Sequence, residues 1–301
     1  MIDELKLAAM LDQARAFADE GKYLHAIQVY RRVTEVAPAL DIGWVELAEV
    51  YTEMKQYDAA EHALVEARQV AADKNEITFL LGNLNLKREH YDQALSYYKE
   101  LLEVEKLLPA RTRTHLLFNV GLVHFYRKNM KAAEEYFRSV LRLDPRFPKI
   151  NESLGELLLR RGALAEAVSV LKTALIHDPY SWIGHYLLGV AYMRMFDWRN
   201  AYEEFATAIE MDPNEPTAWH LCGEVLIALQ QLDEAEQYLR KSLELNPHLV
   251  DAVASFGLLY SKRGDLQRAR EYFEKALSLD PKHAVALRGK AQLSAAIQQP
   301  S

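Results

Sequence analysis

Cysteine is almost absent: Cys222 is the only one in 301 residues, so no disulfide framework can form within the chain. That agrees with a reducing compartment. Long apolar runs are missing as well. One mostly apolar stretch, THLLFNVGLVHFYRKN at 114–129, is broken by Asn119 and His124 and falls short of the roughly 20 residues that cross a bilayer. The N-terminal MIDELKLAAMLDQARAF opens on acidic residues and lacks the basic-then-apolar order of a secretory leader. These absences together predict a cytoplasmic chain with no transmembrane segment. Positive charge is also short, with 36 Lys and Arg against 43 Asp and Glu and a net charge of -7. Phosphate backbones need a concentrated basic field, so no nucleic-acid partner is expected. Neither a Gly-rich phosphate loop, a paired CxxC nor a serine elbow occurs.

What the chain does have is a period. A spacing of 34 residues aligns nearly all of it, in blocks 7–40, 41–74, 75–108, 114–147, 148–181, 182–215, 216–249 and 250–283, with an insertion at 109–113. Position 20 of every block is alanine: Ala26, Ala60, Ala94, Ala133, Ala167, Ala201, Ala235 and Ala269. Position 8 is always small, from Ala14 and Ala48 through Gly82, Gly121, Gly155, Gly189 and Gly223 to Gly257. Large apolar groups surround them at position 24 (Tyr30, Leu64, Tyr98, Phe137, Leu171, Phe205, Leu239, Phe273) and at position 7. The spacings are helical, and the small residues predict two helices crossing closely in each block. Asp144-Pro145, Asp178-Pro179, Asp212-Pro213, Asn246-Pro247 and Asp280-Pro281 end the second helix, because proline disfavours the helical conformation of the residue before it. Each block therefore reads as a helical hairpin.

On these residues, together with Trp44 and Trp219 at position 4 and Tyr51, Tyr192 and Tyr260 at position 11, the chain resembles the tetratricopeptide repeat family over about residues 7–283. The resemblance implies an all-α, right-handed superhelical solenoid with the first helix of each hairpin lining a concave face. Ala72 and Lys106 replace the usual proline, so the second helices of blocks two and three are expected to run on. A solenoid end has no neighbour and must be polar. Gln13 at position 7 of the first block, and Lys290 in a capping helix over 284–297, fit that requirement, with the tail QQPS frayed. The eight blocks account for 272 residues, leaving no room for a catalytic domain.

Isolated chemistry is scarce. Cys222 and His220 are two residues apart and face different sides of a helix, and Cys222 occupies a core position, so the thiol reads as inert. His220 and Glu224 share a face at i and i+4, but a zinc site needs three or four ligands, and Glu152 and Glu156 lie two blocks away. No metal, cofactor or catalytic residue is expected.

By the resemblance, positions 2, 5, 9, 12 and 13 line the groove. There the middle blocks are apolar, with Phe79, Phe118, Leu122, Phe125, Tyr126 and Tyr186, and contiguous exposed apolar surface usually marks an interaction site. The alternative reading is that these side chains touch one another as extra core. Co-chaperones of the family hold a C-terminal carboxylate with Lys, Asn, Asn, Lys and Arg on three successive repeats. Asn83, Asn119 and Lys149 match three of the five, while Phe79 and Ser153 replace the others, which implies a grip on a peptide main chain without the full clamp. The insertion PARTR either lengthens a helix or forms a loop beside this place.

The expected function is thus a non-enzymatic adaptor that binds a peptide or helix of a partner protein in the concave groove. The alternatives are a structural scaffold that self-associates through its convex face or ends, and a regulatory subunit of a separately encoded enzyme.

Overall fold

The computed structural model describes residues 4–298, which form α-helices with no strand among them. Residues 299–301, most of the tail expected to fray, lie outside the described residues. Two compact units divide between Pro145 and Arg146. The first contains four hairpins: α1 (Glu4–Asp19) with α2 (Tyr23–Val36), α3 (Asp41–Glu53) with α4 (Tyr57–Val70), α5 (Lys74–Lys87) with α6 (Tyr91–Glu103), and α7 (Ala110–Tyr126) with α8 (Met130–Leu143). The second contains α9 (Ile150–Arg161) with α10 (Leu164–His177), α11 (Trp182–Arg194) with α12 (Trp198–Met211), α13 (Pro216–Ala228) with α14 (Leu232–Leu245), α15 (Val250–Lys262) with α16 (Leu266–Leu279), and a closing helix α17 (Ala284–Gln298).

In the six hairpins with glycine at position 8, that glycine meets the large position 24. A Cβ added to Gly121 would lie 2.6 Å from Phe137 Cε1, and one on Gly189 would lie 2.7 Å from Phe205 Cδ1. The alanine at position 20 is fully buried in all eight hairpins. Phe137, Phe205 and Phe273 lose essentially all exposure, which stabilises each crossing by about 1.5–3 kcal/mol per ring. At the chain's end α17 brings Gly289 against the far side of Phe273, while Lys290 stays exposed and pairs with Glu274 at 3.0 Å. Gln13 is likewise exposed.

The turn inside each hairpin is uniform. Position 15 is left-handed in every one: Gly21, Gly162 and Gly264, but also Lys55, Glu89, Lys128, Phe196 and Gln230. The following N–H bonds back to the position-11 carbonyl, as in Gln56 to Tyr51 (2.8 Å) and Asp265 to Tyr260 (3.0 Å), which closes the first helix. For a side chain other than glycine this conformation costs about 1–2 kcal/mol. Between hairpins, the indole N–H of Trp44 donates to the Pro38 carbonyl (3.0 Å) and that of Trp219 to the Pro213 carbonyl (2.9 Å), so position 4 of one block buttresses the proline turn of the block before.

Two details differ from, or decide between, the expectations. The second helices of blocks two and three do not run on: α4 stops at Val70 and α6 at Glu103. Ala71 is extended, and Asp73 accepts from the Asn75 N–H (2.9 Å) to start α5. Pro109 holds Leu108 extended after a short 3-10 turn, Glu105–Leu107. The insertion is a helix extension, giving α7 its 17 residues where α3 has 13.

Gly121→Ala is expected to lower stability by about 1–3 kcal/mol, because the Phe137 ring has nowhere to retreat; thermal melting of the full chain checks this, and an unchanged midpoint would show that the crossing can open.

Candidate protein-binding grooves

The residues predicted to face a groove fall into different settings. In the first unit, Phe79 and Phe118 are half-buried and rest on position-24 rings of their own hairpins, Phe79 on Tyr98 (6.3 Å between centroids) and Phe118 on Phe137 (5.8 Å). In the second unit Tyr186 does the same on Phe205, at 6.1 Å. Aromatics at position 5 therefore extend the hairpin core while keeping one edge in solvent. Leu122 is half-buried. Phe125 is a correction: it is 4 % exposed and belongs to the core, with the Tyr126 ring edge-on to it at 5.5 Å. Tyr126 is half exposed and stacks on Tyr91 at the start of α6 (5.6 Å). Lys149 stands in the second unit, left-handed at the N-terminal boundary of α9. It borders a cleft of about 440 Å³ with Arg146, Glu152, Asp178, Ser181 and Trp182, at the turn end of the hairpins.

Asn83 and Asn119 do come together. Asn83 Oδ1 accepts from Asn119 Nδ2 (2.8 Å) and from the Tyr98 hydroxyl (2.8 Å). Burial pushes the Tyr98 phenol above its ordinary value, so it stays a neutral donor. The pair spends one donor and one acceptor on itself and leaves the Asn83 Nδ2 and the Asn119 Oδ1 for another group. No sequence rule announced this network; the signal was the pair of asparagines at position 9 of one block and position 6 of the next.

Asn83 also lines a cleft of about 400 Å³ between α3 and α5, whose apolar residues are Ala48, Leu64, Leu80 and Leu84 and whose polar ones are Glu49, Thr52, Glu53 and Lys87. A second cleft of about 400 Å³ between α1 and α3 shares Glu49 and Glu53 and adds Arg15, Asp19, Tyr30 and Glu46. The two clefts thus share a wall on α3 and carry an acidic excess. Two cations are already taken: Arg15 Nε donates to Glu46 (2.9 Å) and Lys87 Nζ to Glu53 (3.4 Å). The Glu49 carboxyl sits above its ordinary value, first through burial and then through repulsion by Glu46.

On the outer side, arginine at position 14 clamps acids at positions 18 and 21 of the preceding block. Arg88 reaches Asp58 (2.6 Å) and Glu61 (2.7 Å), Arg127 reaches Asp92 (3.0 Å), and Arg263 reaches Asp233 (2.6 Å) and Glu236. These pairs tie neighbouring hairpins within a unit.

Elsewhere the polar chemistry is enclosed. Cys222 is buried, and burial followed by Glu234 pushes its thiol up, away from the reactive thiolate. The Ser255 hydroxyl donates to Glu224 (2.7 Å), and His220 Nε2 lies 3.0 Å from that hydroxyl, but Ser255 and His220 are both buried, so this cluster joins α13 to α15. Burial is the largest influence on Glu224 and raises its carboxyl, yet the bonds from His220 and Ser255 outweigh it and hold the group below its ordinary value. His124 stacks on Tyr136 (5.6 Å), and burial, then Arg127 and Lys99, hold its pKa below the ordinary value. No group of three or more His, Cys, Asp or Glu able to hold a metal ion occurs among the described residues, and no helix there is long and apolar enough to cross a membrane.

A chain of helical hairpins with these crossings and turns defines a repeat protein. Tetratricopeptide repeat family models match residues 45–111, 118–181, 184–215 and 214–282, and the chain belongs to that family. Among curated proteins it is similar to the anaphase-promoting complex subunit CDC16 of Saccharomyces cerevisiae, with 28 % identity over 181 residues, covering 60 % of this chain and 22 % of that protein. It is also similar to BBSome complex member BBS4 of Bos taurus, with 27 % identity over 176 residues, covering 56 % and 32 %. The chain thus spans under a third of the length of these relatives. Among solved structures, a tetratricopeptide repeat protein from Parabacteroides merdae superposes with a TM-score of 0.64 at 14 % identity, covering 84 % of this chain and 98 % of that one. Pseudomonas aeruginosa pilF superposes with a TM-score of 0.61 at 19 % identity, covering 72 % and 97 %. These likenesses show the fold.

Asn83→Leu is expected to cost about 1–3 kcal/mol, since it removes the acceptor shared by the Tyr98 hydroxyl and the Asn119 amide, and adding Tyr98→Phe should recover part of that loss. Urea unfolding of both variants measures it; equal stabilities would show that the bond contributes nothing. Glu49 gives a pH effect of defined sign. Its folded-state value is raised, so its charged form destabilises the fold as pH rises from the ordinary 4.5 through the higher folded value. Glu49→Gln should therefore raise the melting temperature at pH near 7 and leave it unchanged in the acid range; a variant melting below the wild type at neutral pH contradicts this.

Proposed function

We propose that the chain is a non-enzymatic, cytoplasmic adaptor whose first unit holds a peptide or short helix of another protein in the channel between α1, α3 and α5. The observation that carries this reading is the α3–α5 cleft, with its apolar lining and Asn83 on one wall. Asn83 Nδ2 and Asn119 Oδ1 suit the N–H and carbonyl of an extended main chain, while Leu80 and Leu84 receive apolar side chains. The edges of Phe79 and Phe118 extend the apolar surface along α5 and α7, with Leu122 beside them. Tyr186 and Lys149 are proposed to contribute to ligand contacts of the second unit. Glu49 and Glu53 favour a basic segment, because Glu49 is already disfavoured as an isolated anion. The names of CDC16 and BBS4 place those relatives in multi-protein complexes, which supports a scaffold role for this chain.

Thr52→Arg tests the reading without touching a hairpin crossing, since Thr52 lines the cleft and bonds only within its own helix, to the Ala48 carbonyl (2.7 Å). Proteins captured by the wild-type chain from native cell extract should be lost with Thr52→Arg while helical content and melting temperature hold. Capture that survives the substitution would remove the α3–α5 cleft as the site.

A further inference from the structure

Phe196 is the exception in the turn series. Its seven counterparts at position 15 are glycine or a polar residue, Lys55, Glu89, Lys128 and Gln230 among them, as a solvated left-handed turn requires. Phe196 adopts the same conformation (φ 60°) with its ring 74 % exposed. Packing does not account for it, and conformation counts against it: a bulky residue there is strained, and glycine would not be.

The ring's neighbour is Trp198, met edge-on at 5.6 Å between centroids and 73° between planes. Trp198 in turn walls a cleft of about 400 Å³ together with Met193, Leu258, Glu224 and Lys262. Of the two charges, Glu224 is already satisfied by Ser255 (2.7 Å) and faces His220 (3.4 Å). Lys262 is exposed and makes no ion pair or hydrogen bond among the described residues. The cleft therefore offers a thioether, an indole and an aliphatic wall beside one lysine that has no ion-pair partner of its own, and Trp198 joins it to a strained, solvent-facing phenyl ring. Desolvated aromatic anchors are what dominate binding energy at interfaces.

We propose that Phe196, Trp198, Met193 and Lys262 form a docking surface for an acidic segment of another protein. One of its apolar side chains enters the cleft against Trp198, and an adjacent carboxylate meets Lys262. This surface stands on the second unit alone and is independent of the channel in the first. Its charge preference is also the reverse: the first-unit channel carries an acidic excess, whereas here the unpaired group is a lysine.

A displayed library of random peptides, selected on the full chain, tests it. Selected sequences should pair Asp or Glu with Leu, Phe, Trp or Met. Their affinity should fall at least about tenfold on Phe196→Gly and on Lys262→Glu, and be indifferent to Thr52→Arg in the first unit. Phe196→Gly relieves the left-handed strain, so its melting temperature should hold or rise, which separates lost binding from lost fold. Lys262→Glu should in addition accept Lys-bearing or Arg-bearing versions of the same peptides. The proposal is overturned if no peptide is enriched, if the enriched ones lack acidic residues, or if they bind both second-unit variants as they bind the wild type. Self-association of the chain that Phe196→Gly abolishes would also overturn it, since the occupant would then be a second copy. Peptides lost only with Thr52→Arg would belong to the first-unit channel and would count against the surface proposed here.

Discussion

Everything in this molecule depends on how closely two helices can cross inside one hairpin. A missing or minimal side chain at position 8 lets the ring or leucine at position 24 of the partner helix lie almost against backbone, with the buried alanine of position 20 beside it. Because that contact consumes one face of each first helix and the proline turn fixes the next hairpin against it, the remaining face is left over. Close packing in the interior thus creates the channel on the surface.

The aromatic surplus that suggested a binding face is in good part packing. Phe79, Phe118 and Tyr186 each lean on the position-24 ring of their own hairpin, so most of each ring is core and only an edge is offered outward. Space for a ligand opens instead where first-helix residues are short: at Ala48 and Thr52 in the first unit, and at Ala228 in the second. A groove position filled by phenylalanine is partly closed by it.

Charge follows the same logic of leftovers. Arginines at position 14 are consumed in tying hairpins together, and Arg15 and Lys87 are paired within the first-unit channel. Among the described residues neither Glu49 in one unit nor Lys262 in the other has an ion-pair partner. Exposed ion pairs stabilise little, each about 0–1 kcal/mol, so leaving such charges unpaired costs the fold little.

The hairpins and their family were legible in the sequence, because alanine at position 20, a small residue at position 8 and Asp-Pro at the turns are local requirements that recur at a fixed spacing. The asparagine pair was legible as two residues of the right type, but its bond to Tyr98 was not. Nor were the burial of Phe125, the helical fate of the insertion, or the stops of α4 and α6. The left-handed turn at position 15 is invisible wherever the residue is not glycine, since its conformation is imposed by the bond from the following N–H to position 11 and not by its own preference. Periodicity determined which faces pack; only the tertiary structure decided which of the remaining faces stay open, because that depends on side chains from different hairpins meeting in space.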